Sequence, residues 1–281
     1  MKNPIVSVIV TTYNNHATLD ACLGSIKSQT YEDIELVVVD NHSKDDTLEI
    51  AKKYTDKVYT KGPERCAQRN YAVEKSSGDY VVIIDSDMEL NEDVIKACVS
   101  KVTADNQVRG VIIPEESFGT GFWAQCKRLE RSFYVGVDWI EAARFFERKT
   151  FLKVGGYDES LVSGEDWDLS QRVAAIAEIG RIDKFIYHNE GHINLYKTLK
   201  KKSYYAQKFN AYTDKAKPDA GKTEGHNPYV IVLKRFGLFF SHPLKLFRNP
   251  ILGIGVLFMK ICEFGFGAIG YLNTPAKGND A

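Results

Sequence analysis

The first 115 residues alternate between short apolar runs and stretches with helical spacing. Three runs rich in β-branched residues are predicted strands: Ile5–Thr12, Ile34–Asp40 and Tyr80–Asp85. Between the first two, apolar residues from Leu19 to Ile26 keep the i, i+3, i+4, i+7 spacing of an amphipathic helix. Near-continuous apolar strands separated by helices are typical of a mostly parallel sheet with helices on both faces. The sequence therefore predicts an α/β domain.

The same alternation continues with shorter elements. A short strand is predicted at Lys57–Thr60, a helix at Arg65–Ser76, a helix capped by Asn91 and a strand at Val108–Pro114. We expect one domain over 1–195, with a first half of about 1–115 and a less regular second half of about 116–195. A polar, lysine-rich helical connector follows at 196–227, and an apolar and basic helical region at 228–281.

Charge and cysteine content exclude some function classes. Lys+Arg and Asp+Glu are equal at 37 each, which argues against a nucleic-acid partner. The five cysteines are scattered and form no C-x-x-C pair, so neither a zinc site nor a disulfide framework is indicated. The start leads into a strand without a signal-peptide pattern, and we expect the reducing cytosol.

Polar clusters stand where three predicted strands end: Thr11 to Asn15, Asp40 to Ser43, and Asp85-Ser86-Asp87. Ligands bind at the carboxyl ends of such strands. Two carboxylates separated by one residue repel each other unless a cation neutralises them, and carboxylate oxygens suit Mg²⁺ or Mn²⁺. The alternative is a solvated turn, which for D-x-D alone is the commoner case.

Five motifs in order carry a resemblance to a known family. They are S-V-I-V-T-T-Y-N-N, L-V-V-V-D-N-H-S-K-D-D-T, E-R-C-A-Q-R-N, S-G-D-Y-V-V-I-I-D-S-D-M and V-G-G-Y-D-E…G-E-D-W-D-L. Over about residues 4 to 192 the chain resembles the inverting family-2 glycosyltransferases of GT-A fold. The resemblance implies a Rossmann-like, mostly parallel sheet between helices, a nucleotide-sugar donor and a divalent metal.

The resemblance implies donor-binding roles in three segments. Thr12 and Tyr13 match the segment that packs around the nucleotide base, and Asp40 matches the carboxylate that hydrogen-bonds the base. A base stacked on an aromatic ring and read by one acceptor is physically sound. The alternative for Tyr13 is a core aromatic at a strand end.

The third donor segment lies on the predicted helix after Pro63. Arg65 and Arg69 are four apart, so they share a helical face and could both turn toward an anionic ligand. Asn70 continues the family's R-N pair. A solvated basic face paired to surface acids is the alternative for either arginine.

The metal residues implied by the resemblance are Asp85 and Asp87. The family usually gives the second aspartate the direct metal contact and places the first nearer the ribose or diphosphate. His188, after the apolar run Phe185-Ile186-Tyr187, is the best-placed histidine for a further metal or diphosphate contact, with His192 second. A purely structural histidine is the alternative.

The family's E-D motif falls at Glu165-Asp166-Trp167. By resemblance Asp166 is the catalytic base and Glu165 a supporting acceptor contact. Inversion needs a base within reach of the acceptor hydroxyl, but spacing alone does not choose between Glu165, Asp166 and Asp168. These acids could instead only cap a helix. Trp167 is a candidate wall of the acceptor pocket or a core residue.

The C-terminal region is apolar with basic and aromatic residues before it. Ile251 to Leu272 contains two charges, Lys260 and Glu263, near its middle. As a helix it would be about 33 Å long, enough for a hydrocarbon core of roughly 30 Å, but mid-helix charges are costly there. The preceding K-R-F-G-L-F-F-S-H-P-L-K-L-F-R suits an anionic membrane surface. Spanning, packing on the catalytic domain and a dimer interface are the alternatives.

The sequence thus predicts a metal-dependent inverting glycosyltransferase with a UDP- or GDP-sugar donor. We expect a carbohydrate or lipid-linked acceptor and a peripheral location at the cytoplasmic face of the membrane; an oligomer is left open. One alternative is an inactive sugar-nucleotide- or carbohydrate-binding module on the same scaffold. A sugar nucleotidyltransferase would carry a Gly-rich basic loop after the first strand, where T-T-Y-N-N stands.

Overall fold

The computed structural model describes residues 3–208 and 228–272, which form ten strands and eleven helices. The strands are β1 (Val6–Thr12), β2 (Ile34–Asp40), β3 (Val58–Thr60), β4 (Tyr80–Asp85), β5 (Met88–Leu90), β6 (Val108–Ile112), β7 (Glu115–Thr120), β8 (Ala143–Glu147), β9 (Glu178–Arg181) and β10 (Ile186–His192). The helices are α1 (His16–Lys27), α2 (Thr47–Lys52), α3 (Arg65–Lys75), α4 (Val94–Ala104), α5 (Gly121–Ser132), α6 (Arg148–Lys153), α7 (Glu165–Ala174), α8 (Leu195–Lys208), α9 (Pro228–Ser241), α10 (Pro243–Leu246) and α11 (Pro250–Leu272).

Seven strands form the central sheet in the order β3-β2-β1-β4-β8-β6-β9. All neighbours pair in parallel except β8, which is antiparallel to both β4 and β6. The predicted mostly parallel sheet is therefore confirmed. A small sheet has the order β5-β10-β7.

Apolar side chains of the central strands fill a core on each face of the sheet. In β1, Val8 and Val10 join one cluster with Leu23 of α1, while Ile9 joins the other with Val73 of α3. Alternate strand residues point to opposite faces. Both faces are covered, which explains why the strands are apolar without interruption.

Two details of the predicted elements differ. Helix α4 begins at Val94 with Asp93 as N-cap. Asn91 instead closes the turn before it, because its carbonyl accepts from the Val94 N–H and its side chain from the Asp93 N–H. The stretch 116–195, irregular in sequence, holds β8, which lies inside the sheet between β4 and β6.

The chain divides into two compact units. The first comprises the described parts of Met1–Ser117, Tyr134–Glu159 and Glu165–Asn189, and the second those of Phe118–Phe133, Ser160–Gly164 and Glu190–Ala281. The unit boundaries thus differ from the predicted domain 1–195. The reason is that α5 packs on α11 within the second unit, with Trp123 stacked on Phe258 at 6.0 Å between ring centroids.

The predicted connector and C-terminal region are helical where they are described. α8 covers the start of 196–227; the predicted helical character of 209–212 and the rest of that connector lie outside the described residues, as do 273–281. Within the described ranges, α11 is the one helix long and apolar enough to cross a membrane. The predicted apolar C-terminal helix is confirmed.

Two leucines test the core. Leu23→Ala should lower the free energy of unfolding by about 2–5 kcal/mol, because it opens a cavity in a fully buried cluster. Leu152→Ala, at a helical leucine that is 43% exposed, should lower it much less. Urea denaturation followed by circular dichroism measures both, and equal losses would contradict the assignment of the core.

Candidate active site

Three neighbouring strands bring their polar ends to one edge of the central sheet. β1 lies between β2 and β4, with Thr12 opposite Asp40 and Thr11 opposite Asp85. Parallel strands end at the same edge, where open α/β sheets bind ligands. The three polar clusters singled out in the sequence therefore stand side by side.

The first strand ends on an exposed aromatic residue. Tyr13 is 60% exposed, so it is not the core aromatic that was the alternative. An exposed ring at this edge can stack on a planar base. Thr12 is buried, and its hydroxyl has no hydrogen-bond partner among the described residues. A buried hydroxyl in this state is available to a ligand.

The second strand ends on a buried carboxylate. Asp40 accepts hydrogen bonds from the Ser43 backbone N–H at 2.8 Å and from the Ser43 hydroxyl at 2.5 Å. Asn14 ties the neighbouring loop to the same turn, since its N–H donates to Ser43 Oγ and its Oδ1 accepts from the Lys44 N–H. Asp40 thus holds the loop after β2. Its contact with a base stays a prediction.

The two acids after β4 have different surroundings. Asp85 accepts from Arg69 Nη2 at 2.7 Å, and its second oxygen lies 3.6 Å from Arg144 Nη1. Burial alone would raise the pKa of Asp85, but the two guanidinium groups outweigh it and hold the pKa well below its usual range. Asp87 is more open, with 40% of its side chain exposed and Oδ2 3.6 Å from His188 Nε2.

Asp87 and His188 are the candidate residues of a partial metal site, since their side chains approach to 3.6 Å. One carboxylate oxygen and one imidazole nitrogen fit a divalent cation, and donor phosphates or water would complete its coordination. Within the described ranges, no group of three His, Cys, Asp or Glu side chains could hold a metal by itself. Both oxygens of Asp85 face arginines, and its expected metal contact stays a prediction.

Arg69 is the centre of a buried charge network, which we call the Arg69 network. Its fully buried guanidinium lies 2.7 Å from Asp85, 3.1 Å from Asp166 and 3.6 Å from Glu165. Its Cζ also lies 5.0 Å from the centroid of the Tyr157 ring. Burial opposes the charged form, but Asp85 and Asp166 raise the pKa of Arg69 well above its usual value. Arg69 therefore faces anions of the protein, and its expected contact with an anionic ligand stays a prediction.

The other two residues predicted on α3, Arg65 and Asn70, have different surroundings. Arg65, with 44% of its side chain exposed, lies 2.7 Å from Glu165 and keeps surface for a ligand. Asn70 both donates to the Tyr157 carbonyl and accepts from the Tyr157 N–H, each at 2.8 Å, and donates to Glu159. Its amide holds the loop before α7, and the expected donor contact stays a prediction.

Three acids stand at the start of α7, and their burial and partners distinguish them where sequence spacing could not. Glu165 is buried, and burial followed by the charge of Asp166 raises its pKa. Asp168 is buried and pairs with Arg172 at 2.6 Å, one turn further along the helix. Asp166 keeps 31% of its side chain exposed. It is thus the one of the three that a second substrate can reach.

Tyr157 and Arg144 are site residues that sequence reasoning missed. The Tyr157 hydroxyl donates to Asp166 Oδ1 at 3.1 Å, the oxygen that Arg69 also contacts at 3.1 Å. Arg144 links Asp85 to Glu115, its Nε lying 2.6 Å from the Glu115 carboxylate. Tyr157 stands inside the V-G-G-Y-D-E motif, which was the available signal. No sequence signal marked Arg144, because β8 was not predicted as a strand.

Trp167 is half-buried on α7. Its indole N–H donates to the Ile140 carbonyl at 2.9 Å, which fixes the ring. The predicted contact with an acceptor stays a prediction.

Residues 7–158, more than half of the chain, match the sequence model of a family described as Glycosyl transferase family 2. One relative, the GalNAc(5)-diNAcBac-PP-undecaprenol beta-1,3-glucosyltransferase of Campylobacter jejuni, is 26% identical over 73% of this chain and 63% of that protein. The poly(ribitol-phosphate) beta-N-acetylglucosaminyltransferase TarS of Staphylococcus aureus is 36% identical over 32% of this chain and 17% of that protein. The matched region thus spans less than two thirds of either relative.

Solved structures share the fold at low sequence identity. The mannosyltransferase PcManGT from Pyrobaculum calidifontis, in complex with GDP-Man and Mn²⁺, has a TM-score of 0.65 at 18% identity and covers 98% of this chain and 89% of its own. S. aureus TarS 1–349 has a TM-score of 0.54 at 15% identity, over 96% and 88%. These matches confirm the predicted GT-A type of fold.

The Arg69 network can be tested through stability. At pH 7, Arg69→Met should lower the free energy of unfolding by about 3–5 kcal/mol, because it leaves buried carboxylates uncompensated. The pKa of Asp85 is lowered in the folded state. The stabilisation by the Arg69–Asp85 pair is therefore present above the pKa of an aspartate in the unfolded chain, about 4, and is lost as the pH falls below that value.

The matched control is Arg65→Met on the same helix, with an expected loss below about 1 kcal/mol because Arg65 is partly exposed. Denaturation curves at neutral and acid pH measure both variants. Equal losses at pH 7 would contradict the central place of Arg69.

Proposed function

The chain belongs to glycosyl transferase family 2, and we propose that it transfers a sugar from a nucleoside-diphosphate sugar to an acceptor hydroxyl with inversion. The observation that carries this proposal is the Arg69 network, in which one buried guanidinium joins Asp85 at the end of β4 to Asp166 at the start of α7. A carboxylate beside the donor edge and an exposed carboxylate beside an acceptor are thereby held in one rigid unit.

The donor is a UDP- or GDP-sugar. Tyr13 stacks on the base, and Asp40 and Thr12 provide polar groups next to it. PcManGT is in complex with GDP-Man, and one TarS structure with UDP-GlcNAc. Arg65 is the arginine of α3 with surface left for the diphosphate, which makes it the basic donor contact.

Asp87 and His188 would hold a divalent cation, Mg²⁺ or Mn²⁺. Such an ion would supply positive charge next to the departing diphosphate. The Mn²⁺ in the PcManGT complex supports a metal of this kind. Asp85 keeps the start of the loop in place through its two arginines, so that Asp87 is presented at the surface.

Asp166 is the general base. It accepts the proton of the acceptor hydroxyl while the hydroxyl oxygen attacks the anomeric carbon. The bond from that carbon to the diphosphate breaks, and its electron pair leaves with the nucleoside diphosphate. Arg69 and Tyr157 both contact Oδ1, so Oδ2 is the oxygen that takes the proton. Glu165 supports the site, and Trp167 forms a wall for the acceptor.

The acceptor is carbohydrate, carried on a lipid, in the synthesis of a cell-envelope polysaccharide or glycan. The name of the C. jejuni relative includes an undecaprenol-linked substrate, and that of TarS a polymer. We place the enzyme at the cytoplasmic face of the membrane. Its five cysteines are all unbridged and four are buried, as in proteins of reducing compartments.

Asp87→Asn should abolish metal-dependent donor binding, because it removes the carboxylate of the partial metal site. Isothermal titration with UDP- and GDP-sugars, with and without Mn²⁺, measures the effect. Glu92→Gln, an exposed acid on the same segment, is the control and should bind as the wild type does. Unchanged Mn²⁺-dependent binding in Asp87→Asn would overturn the metal assignment.

Asp166→Asn should keep donor binding and lower the transfer rate by about 10²–10⁴-fold, the usual contribution of a general base. Transfer of radiolabelled sugar to lipid-linked acceptors measures the rate, with the exposed Asp183→Asn as control. Normal transfer by Asp166→Asn would show that another group is the base. Donor binding by the wild type without transfer or hydrolysis would favour the inactive binding module.

A further inference from the structure

The two charges of α11 lie inside the second unit. Lys260 and Glu263 are both buried and contact each other. Lys260 Nζ also lies 2.6 Å from Glu130 of α5, and Lys127 of α5 lies 2.9 Å from Glu130 and 3.8 Å from Glu263. These four residues, the Lys260 cluster, alternate in sign. The charges that would be costly in a bilayer are therefore neutralised by protein.

The Lys260 cluster and three glycines set the rotation of α11. A Cβ at Gly255 would lie 2.6 Å from both Cys126 Sγ and Phe122 Cζ, so α11 and α5 approach closely there. A Cβ at Gly253 would lie 2.4 Å from the Leu246 carbonyl oxygen, and one at Gly270 would lie 2.2 Å from that of Ser203 in α8. One face of α11 is thus packed on protein along its whole length.

The opposite face of α11, which we call the apolar face, is exposed and carries no charge. Its large residues recur at the three- and four-residue spacing of one side of a helix, and Gly265, also exposed, fills the gap between Ile261 and Ile269. They are Ile251, Ile254, Phe258, Ile261, Ile269 and Leu272, each more than half exposed. An uncovered apolar row of this length is unusual on a soluble surface and marks an interaction site.

The charge of the surrounding segment indicates the kind of partner. Between 232 and 272 the acidic residue is Glu263, and it is buried in the Lys260 cluster. The exposed charged side chains of that segment include Lys234, Lys245 and Arg248. Leu244, next to Lys245, is 89% exposed. Exposed apolar residues flanked by cations match the surface of a bilayer that contains anionic lipid.

The packing of α8 decides between lying on a membrane and crossing it. α8 packs against α11 and carries five lysines, among them Lys200 and Lys201, both exposed. A spanning α11 would draw these lysines into hydrocarbon, which is strongly unfavourable. Only the apolar face can enter lipid while α8 stays in water.

We propose that the apolar face of α11 docks in the plane of an anionic phospholipid bilayer, with the Lys260 cluster turned away from the lipid. This deepens the proposed function, on which it rests for the lipid-linked acceptor, by naming the surface that meets the membrane. The docking itself needs neither donor nor metal.

Vesicle sedimentation of the full chain tests the surface. Phosphatidylcholine vesicles containing phosphatidylglycerol should pellet the wild type. Ile254→Glu/Phe258→Glu should bind at least about tenfold more weakly, because the introduced carboxylates would have to enter the lipid with the apolar face. Ile176→Glu, at an isoleucine of the first unit that is 50% exposed, is the matched control and should bind normally. Lys234→Ala/Arg248→Ala should weaken binding to the anionic vesicles and leave pure phosphatidylcholine unaffected.

The orientation of α11 is tested by measuring how deep two of its positions lie in the bilayer. A fluorophore is attached to Ile254→Cys or to Ile269→Cys, each in a Cys262→Ser background, and is quenched by lipids spin-labelled at different depths. Docking in the plane gives both positions the same shallow depth. A spanning helix would separate them by about 22 Å, from a rise of 1.5 Å per residue, and would overturn the proposal.

Two further outcomes would also overturn it. One is absence of vesicle binding by a wild type that transfers sugar to a soluble acceptor, which would leave the proposed function intact. The other is a dimer that Ile254→Glu/Phe258→Glu converts to a monomer, which would assign the apolar face to a second copy. Vesicle binding by Asp87→Asn should equal that of the wild type, so loss of catalysis and loss of docking are measured separately.

Discussion

The site depends on one buried cation. A guanidinium without solvent is tolerated only where carboxylates surround it, and the Arg69 network supplies them from β4 and α7. The dependence is mutual, because Asp85, Glu165 and Asp166 would repel one another without Arg69. The end of β4, helix α3 and the start of α7 must therefore meet at one point. The candidate base and the donor edge are positioned by the same interaction that stabilises the fold.

The second unit also contains buried charges that neutralise one another, but there they have a different consequence. In the Lys260 cluster, two lysines and two glutamates neutralise one another between α5 and α11. Because this cluster is buried, it determines which side of α11 faces the protein, and the apolar side is left outside. In the first unit a buried ion network joins the candidate site residues; in the second it orients a surface.

Much of the fold was predictable because it is encoded locally. The bounds of β2 and β4 were predicted to the residue, since each is an apolar run that ends on an aspartate. The order of motifs predicted the family, and the strand-end positions of Tyr13, Asp40 and Asp85 predicted that they would meet. The start of α4 was misplaced because Asn91 forms a turn. β8 went unrecognised because Arg144 and its neighbours do not continue the earlier alternation.

The sequence by itself determined the α/β sheet, the edge where the polar strand ends meet and the acids that stand there, because periodicity and strand ends are local properties. The tertiary structure decided what each side chain does. Arg65 and Arg69 share a helical face, yet one reaches the surface and the other is sealed among acids. Asp85 and Asp87 divide in the same way. The surroundings of a long polar side chain depend on its burial and on partners distant in the chain. Neither can be predicted from a local sequence pattern.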